Sequence, residues 1–416
     1  MNPNPKAAAF APRTLAVLGV TGSIGRQALE VVDESDGRLV PVAFAAGRDL
    51  DGLIRAARRF APRTLALEHA DDPARARAAL LDAIPGAEAR VGPGSAAWLA
   101  GECGAAIVLN GIVGAAGLAA SLATLERGAR LALANKETLV IGAPLVRAAL
   151  ERGGELLPVD SEHSAAYQCL GGRPPREIAR MTLTASGGAL RRHPDWRRAT
   201  RAEVLDHPVW SMGPRITVDS ALLFNKGLEL IEAHALFDVP WERLDAVLHP
   251  QALVHALVMF RDGSTMIHAA RPDMKIPIRF ACSWPERWDD AGAETPASAL
   301  AGLEFSPIAR GRYPGFDVAL DAGLTGGTAL CALNAADEVA VAAFLEGAIP
   351  LGQVPELVRR VLDAHITEPV ESLAQLGEVD ARSRAVARDL MARALDARAT
   401  TDRARTSAAP RSPRSR

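Results

Sequence analysis

The chain is short of cysteine, lysine and asparagine, and it carries no excess of positive charge. Its four cysteines, Cys103, Cys169, Cys282 and Cys331, are scattered over 416 residues with no Cys-x-x-Cys pair. That spacing excludes a disulfide framework and a thiolate zinc centre, and the thiols read as reduced core residues of a cytoplasmic protein. Lysine and arginine total 47 against 49 aspartates and glutamates, for a net charge of −2. A pI near 6.5 lacks the basic footprint of a nucleic-acid binder, so no nucleic-acid partner is expected and any affinity for an anion must be local. The N-terminal segment has one lysine, Lys6, and no continuous apolar h-region, so no signal peptide is expected. The charge-free run from Cys103 to Leu125 is long enough to span a bilayer, but Gly104, Gly111, Gly114, Gly117, Asn110 and Ser121 interrupt it. It reads as a buried strand, a glycine turn and a helix start, and no membrane partner is expected.

What is present is ample core material. Hydrophobic residues make up 49% and charged residues 23%, a globular composition whose length suits two or three domains. Only four of the 47 basic residues are lysines, and two of these, Lys136 and Lys226, directly follow one of the rare asparagines, Asn135 and Asn225. Generic surface charge has gone to arginine. A compact ammonium, unlike a guanidinium fork, enters a tight polar pocket as a point charge, which singles these two lysines out.

Residues 14 to 19 form an apolar run that ends in Gly19-Val-Thr-Gly-Ser-Ile-Gly25, followed by a helical pattern. Further apolar runs at Leu39 to Gly47, TLALE, AAIVLNGIVG and ARLALANKE alternate with helical patterns. Repeated βα units predict an α/β protein that opens on a Rossmann-like, doubly wound parallel sheet over 14–158, preceded by an extension, 1–13. Over 159–293, extended segments, a hairpin turn at Asp262-Gly263 and a helix from Ser220 to about Phe237 predict a central α+β catalytic domain. Its sheet is mostly open, and one uncovered face suits dimerisation. A connector, 294–316, leads to a C-terminal helical bundle over 317–399, and the basic low-complexity end, 400–416, is expected to be a disordered tail.

Four constellations carry chemistry. Gly19-x-x-Gly22-x-x-Gly25, with Thr21, Ser23 and Ile24, lies between a strand and a helix, where glycines admit a pyrophosphate to the helix N-terminus; a ligand-free turn is the other reading. At the end of the second strand, Gly47 and Arg48 stand where a dinucleotide ribose would lie; Arg48 suits a 2′-phosphate, and Asp49 opposes it. Asp160-Ser161-Glu162-His163 follows an apolar strand, and in extended chain Asp160 and Glu162 project to one side, which suits Mg²⁺ or Mn²⁺. A solvated acidic turn is the alternative there, and His163 reads as a packing neighbour.

Ser220-x4-Asn225-Lys226-x2-Glu229-x2-Glu232 places amide, ammonium and carboxylate on one helix face with Ser220 at the N-cap. Together with Ser186 in the turn TASGG these donors suit a small phosphate monoester; an ordinary capped surface helix is the other reading. The loop 206–214, Asp-His-Pro-Val-Trp-Ser-Met-Gly-Pro, reads as a lid closing Trp210 and Met212 over a ligand, or as an aromatic anchor on the core. His207 and His249 are further candidate polar contacts.

The stretches GVTGSIG, LANKE, LPVDSEHSA, TASGG, HPVWSMG, VDSALLFNKGLELIEA, VLHPQALVH, RPDMKIPI and ALNAADEVAVAAF follow in this order from about Thr14 to Met391. Together they resemble the 1-deoxy-D-xylulose 5-phosphate reductoisomerase family. The resemblance implies a homodimeric enzyme, dependent on NADPH and on Mg²⁺ or Mn²⁺, that converts 1-deoxy-D-xylulose 5-phosphate to 2-C-methyl-D-erythritol 4-phosphate by retro-aldol/aldol rearrangement and reduction. It implies Asp160, Glu162 and Glu229 as metal ligands, and a catalytic set of these three with Lys136. Lys136, Ser161 and Glu162 would meet the carbonyl and hydroxyl end of the substrate. Ser186, Ser220, Asn225 and Lys226 would meet its phosphate beside His207, with Trp210 and Met212 in the lid. Thr21, Gly22, Ser23, Ile24, Gly47, Arg48, Asn135, Glu137 and Gly213 would hold the cofactor. Val20, Asp49 and Ala189-Leu190 depart from the commoner family residues. A related NADP- and metal-dependent oxidoreductase for another sugar phosphate, and a non-catalytic NADPH-sensing protein, are the alternatives.

Overall fold

The computed structural model describes residues 11–210, 212–289, 295–309 and 311–407, with side chains to 393. Residues 1–10 of the expected extension and 408–416 of the expected tail lie outside the described residues, as does position 211 of the lid loop.

The first domain is a parallel sheet of β1 (Arg13–Leu18), β2 (Leu39–Ala46), β3 (Thr64–Leu67), β4 (Glu88–Val91), β5 (Ile107–Asn110), β6 (Arg130–Leu133) and β7 (Glu155–Pro158). Helices α1 (Ser23–Asp33), α2 (Leu50–Phe60), α3 (Pro73–Ala83), α4 (Ser95–Glu102), α5 (Leu118–Glu126) and α6 (Glu137–Glu151) connect them. The strand order is β4-β3-β2-β1-β5-β6-β7, so the winding direction reverses at β1. Ligands of such sheets bind in the crevice outside the carboxyl ends of the strands flanking the reversal, here β1 and β5. Both strands are buried on both sides, and Leu18 pairs with Asn110, so the turns that follow them start level.

The second sheet has the order β11-β10-β8-β9-β12, from β8 (Ile178–Ala185), β9 (Leu244–Leu248), β10 (Val254–Phe260), β11 (Thr265–Ala269) and β12 (Ser306–Pro307). The hairpin at Asp262-Gly263 joins β10 to β11 as expected. The connector does more than connect: β12 pairs with β9 at the sheet edge. Helix α7 (Ser161–Leu170) packs on β10 and β11 and α10 (Phe224–Phe237) on β9, while α9 (Pro214–Ala221) packs on α10, α8 (Arg201–Leu205) on α9, and α11 (Lys275–Ser283) mainly on α1 of the first domain. The C-terminal helices are α12 (Pro314–Thr325), α13 (Ala329–Leu345), α14 (Gln353–Asp363) and α15 (Leu373–Ser407). Among the described residues no helix is long and apolar enough to cross a membrane.

Three local expectations need correction. The helix expected from Ser220 to Phe237 is two helices, α9 and α10, parted at Leu223, whose φ of 56° lies in the left-handed region. Leu223 accepts that conformation because its side chain is buried with Ala185, Leu248 and Tyr313. Apolar periodicity runs straight through the break, so Ser220 closes α9 and does not cap α10. Asp160 and Glu162 are likewise not neighbours on an extended strand: Asp160 is the N-cap of α7, its Oδ1 accepting from the Glu162 amide at 3.2 Å. Finally, α15 continues through 400–407, where no proline interrupts it before Pro410.

Helix α10 is the pivot of the molecule. It packs on α6 of the first domain, on α9 and on α12, and it is buried on nearly every face, Lys226, Glu229 and Glu232 included. Gly227 makes the approach to α12 possible, because a Cβ there would collide with that of Ala319. Gly227→Val should therefore lower stability by about 1–3 kcal/mol through overpacking. Denaturant midpoints check this; an unchanged midpoint would show that α10 and α12 separate freely.

Candidate active site

The end of β7 and the start of α7 bring Asp160 and Glu162 to α10, where Glu229 faces them. One oxygen from each of the three carboxylates lies within 4.8 Å of the others. Lys136, at the start of α6, reaches in from the first domain: its Nζ donates to Asp160 Oδ2 at 2.8 Å, Asn225 Oδ1 at 2.7 Å and Glu229 Oε1 at 3.1 Å. Lys226 Nζ pairs with Glu162 Oε1 at 3.1 Å and with Glu229 Oε2. Asn225 Nδ2 donates to Glu229 Oε1, and Ser161 Oγ donates to Glu162 Oε2 at 2.5 Å.

Buried charges persist only when paired. Burial presses the Lys136 ammonium toward neutrality, but Asp160 and Glu229 more than offset it and hold its pKa well above the ordinary value. Burial likewise works against ionised Asp160, yet Lys136 and His163 keep it well below the usual carboxylate range. Glu229, deepest of the three, is pushed up by burial against the pull of both lysines. Carboxylate therefore outweighs ammonium here, and the donors are all hard oxygens, which is the chemistry of a Mg²⁺ or Mn²⁺ site.

His163 braces this cluster from behind. It is fully buried, its Nε2 donates to the Glu229 carbonyl oxygen at 2.9 Å, and its Nδ1 lies 2.9 Å from Asp160 Oδ1. Both partners accept, so both ring nitrogens carry protons. Burial opposes that charge, while Glu232, 3.5 Å away, and Asp160 raise the pKa to about 9. Glu232 belongs to the sequence pattern, but its facing of His163 does not follow from spacing along one helix.

The cofactor crevice lies beside this cluster. Gly19 has φ 76° and sits against the turn after β5, where a Cβ would come within 2.8 Å of the Gly111 carbonyl oxygen. No side chain caps α1 at Gly22, so its first amides, beside Thr21, Ser23 and Ile24, are left for another acceptor, as an anion would be. Gly47 and Arg48 are exposed at the end of β2. Asp49 caps α2, its Oδ1 accepting from the Gly52 amide at 2.8 Å, so this carboxylate is committed to its own helix and opposes a 2′-phosphate less than the sequence suggests. Asn135 Nδ2 donates to Ile112 O at 2.7 Å, Gly114 O at 2.9 Å and Glu137 Oε2 at 2.8 Å, which fixes the turn after β5. Gly213, exposed, opens α9 across from it.

Comparison with known proteins decides the family. Residues 15–143 match the model of 1-deoxy-D-xylulose 5-phosphate reductoisomerase, 156–237 that of its C-terminal domain, and 270–386 that of the DXP reductoisomerase C-terminal domain. The reductoisomerase of Beutenbergia cavernae is 45% identical over 388 residues, covering 91% of this chain and 98% of that one. That of Thermomicrobium roseum is 44% identical over 387 residues, covering 92% and 98%. The chain belongs to the 1-deoxy-D-xylulose 5-phosphate reductoisomerase family.

Solved reductoisomerases share its fold. The Zymomonas mobilis enzyme in complex with NADPH is 34% identical, with a TM-score of 0.84 over 92% of this chain and 99% of that one. A reductoisomerase with NADPH, fosmidomycin and magnesium is 33% identical, with a TM-score of 0.85 over 91% and 98%.

Of the residues expected at the phosphate end of a reductoisomerase site, the structure gathers three. His207 Nε2 lies 3.2 Å from Ser186 Oγ and 3.2 Å from Ser220 Oγ. Gly188 has φ 64°, and a Cβ there would come within 2.7 Å of the Ser220 carbonyl oxygen, so the TASGG turn needs its second glycine to approach α9. Asn225 and Lys226 do not join this group; their side chains are engaged by the carboxylates. Trp210 lies 6.3 Å, ring to ring, from His255, and Met212 is half-buried. His249 is structural: Nδ1 donates to Glu304 O, and Nε2 accepts the Leu253 and Val254 amides.

His207 Nδ1 accepts the amides of Val209 at 3.2 Å and Trp210 at 2.9 Å, and burial lowers its pKa. The backbone of loop 206–214 thus forces the proton of the neutral ring onto Nε2, aimed at the two serines. Nitrogen-15 shifts of His207 at pH 7.5 should show protonated Nε2 and bare Nδ1. The opposite tautomer would contradict the link between loop 206–214 and the serines.

Proposed function

We propose that the chain catalyses the NADPH- and divalent-metal-dependent rearrangement and reduction of 1-deoxy-D-xylulose 5-phosphate to 2-C-methyl-D-erythritol 4-phosphate, a step of isoprenoid precursor synthesis that does not pass through mevalonate. The observation that carries the reading is the convergence of Asp160, Glu162 and Glu229 from two helices on one space. Lys136 reaches that space from the domain that holds the cofactor crevice.

When bound, a divalent cation supplies Lewis-acid stabilisation of negative charge developing on substrate oxygens, and NADPH supplies hydride. Asp160, Glu162 and Glu229 offer the oxygens that hold the cation. Lys136 is near enough to Asp160 and Glu229 to donate to a substrate oxygen at the same place, and Ser161 is directed there by Glu162. Ser186, Ser220 and the Nε2 proton of His207 form the phosphate end. Lys226 would join them only by turning its ammonium away from Glu162 and Glu229, a movement its flexible stem permits. Closing Trp210 and Met212 excludes water from carbonyl fragments that would otherwise escape or hydrate. Because the His207 ring ties the Val209 and Trp210 amides to the two serines, occupation of the phosphate end favours that closure.

Thr21, Gly22, Ser23, Ile24, Gly47, Arg48, Asn135, Glu137 and Gly213 would hold the cofactor in the crevice at the ends of β1, β2 and β5. A homodimer is supported by the edge strand β11, where Met266 is 51% and Ile267 56% exposed. A cytoplasmic location is supported by four cysteines that are all unpaired and buried.

The test is Glu229→Gln in the full chain, followed through NADPH absorbance with substrate and Mg²⁺ or Mn²⁺. Turnover should fall by roughly two orders of magnitude or more, as expected on loss of an electrostatic group at the reacting centre, while NADPH affinity stays within about twofold. Turnover equal to that of the unaltered protein, or activity that survives chelation, would refute the metal assignment.

A further inference from the structure

Outside the carboxylate cluster the molecule holds a second buried ionic network, centred on Arg215. This residue lies in the first turn of α9, immediately after the lid loop 206–214. Its Nη1 donates to Glu137 Oε1 at 3.2 Å and Glu338 Oε1 at 3.0 Å. Its Nη2 donates to Asn334 Oδ1 at 3.0 Å and approaches Asp337 Oδ2 at 3.4 Å, and Asp219 lies one turn further along α9 with Oδ2 3.7 Å from Nε. One guanidinium therefore joins three parts of the chain: the lid's downstream end, α6 of the first domain and α13 of the C-terminal bundle.

The partners on either side are not surface carboxylates. Glu137 Oε1 also accepts the Gly114 amide at 3.1 Å, and Oε2 accepts from Asn135, so Glu137 is the strut of the turn after β5. Glu338 is anchored in turn by Asn334 at 3.1 Å and by Arg384 at 2.6 Å, while its Oε1 faces the Ala115 amide at 3.4 Å. The network thus holds the Gly114-Ala115 segment from both ends. Stability alone accounts poorly for it: Asp219 Oδ1, Asp337 Oδ1 and Arg215 Nε are buried without a hydrogen-bond partner, which costs free energy, and apolar replacements of buried ion networks are often as stable. The planar, five-donor fork matches several acceptors at once, which an ammonium does not.

We propose that Arg215 is a positioning residue that sets the lid's downstream end in register with the cofactor-site turn 112–115, using Asn334, Asp337 and Glu338 of α13 as a fixed wall. The C-terminal bundle, which contributes no group to the carboxylate cluster, acts on the reaction through this contact. The inference rests on the reading of Asn135 and Glu137 as part of the NADPH site.

The experiment compares Arg215→Met, Arg215→Lys, Glu137→Gln and the Arg215→Met/Glu137→Gln pair in the full chain. It reads NADPH Kd by cofactor fluorescence, KM and kcat separately, and Tm. Arg215→Met should raise the Kd for NADPH and the KM for the sugar phosphate roughly tenfold, a size typical of coupling within one hydrogen-bonded network, with a smaller change in kcat. The double variant should be no worse than the worse single one, because both remove the same strut. Arg215→Lys should shift Kd in the same direction by less. Kd and KM within twofold of the unaltered protein, with loss confined to Tm, would overturn the proposal. Should Arg215→Met not fold, Arg215→Lys decides, and an unchanged Kd there overturns it equally. Failure of the unaltered chain to bind NADPH would instead overturn the functional reading beneath it.

Discussion

Carboxylates that are almost without water must be neutralised, and the rest of this structure depends on how that is done. Asp160, Glu162, Glu229 and Glu232 crowd one region with Lys136, Lys226 and the doubly protonated ring of His163 as their counter-charges. Each cation arrives from a different element: Lys136 from the parallel-sheet domain, Lys226 from α10 itself and His163 from α7. Removing any one would leave a buried charge uncompensated, a loss of several kcal/mol in comparable cases, roughly 3–5. The cluster therefore fixes how the first domain meets the second. A set of hard oxygen donors is also what a divalent cation requires, so the site's folding constraint and its chemistry are one arrangement.

The fold delivers these groups through ends of elements rather than through their middles. Asp160 follows a strand and caps a helix, Lys136 and Glu137 open α6, and Ser186 directly follows β8. Chain ends of this kind expose unpaired backbone groups that need partners, which explains why caps and site residues coincide so often here. Helix α10 is the exception. It carries Asn225, Lys226 and Glu229 on a buried stretch, and its rigidity comes from packing on α6 and α12.

Much of this was legible in the sequence. The glycine-rich turn after β1, the alternation of strands and helices and the α+β texture after Pro158 followed from periodicity and turn chemistry, because those patterns are local. The scarcity of lysine pointed to Lys136 and Lys226 for a sound reason: both are buried, each with its ammonium among carboxylates. Other features are set by tertiary packing. The break at Leu223 leaves apolar spacing intact and is enforced by the side chains that bury it. The approach of Asp160 to Glu162 comes from a helix cap that extended-chain geometry misses. Arg215 was invisible because abundant arginine reads as surface charge, and its partners on α6 and α13 lie 78 and more residues away. The phosphate role of Lys226 was read from its place beside Asn225 on the helix after Ser220 and again from family resemblance, and its contacts here lie on the carboxylate side, because spacing along one helix does not show what a neighbouring element presents to it.

The central claim is that three carboxylates from α7 and α10 hold one divalent cation in front of Lys136. Anomalous diffraction from crystals of the full chain grown with Mn²⁺ tests it most directly. The account predicts one strong peak bonded to oxygens of Asp160, Glu162 and Glu229 together. A peak that leaves out Glu229, or manganese bound at some other group of acids while this one holds none, would contradict it.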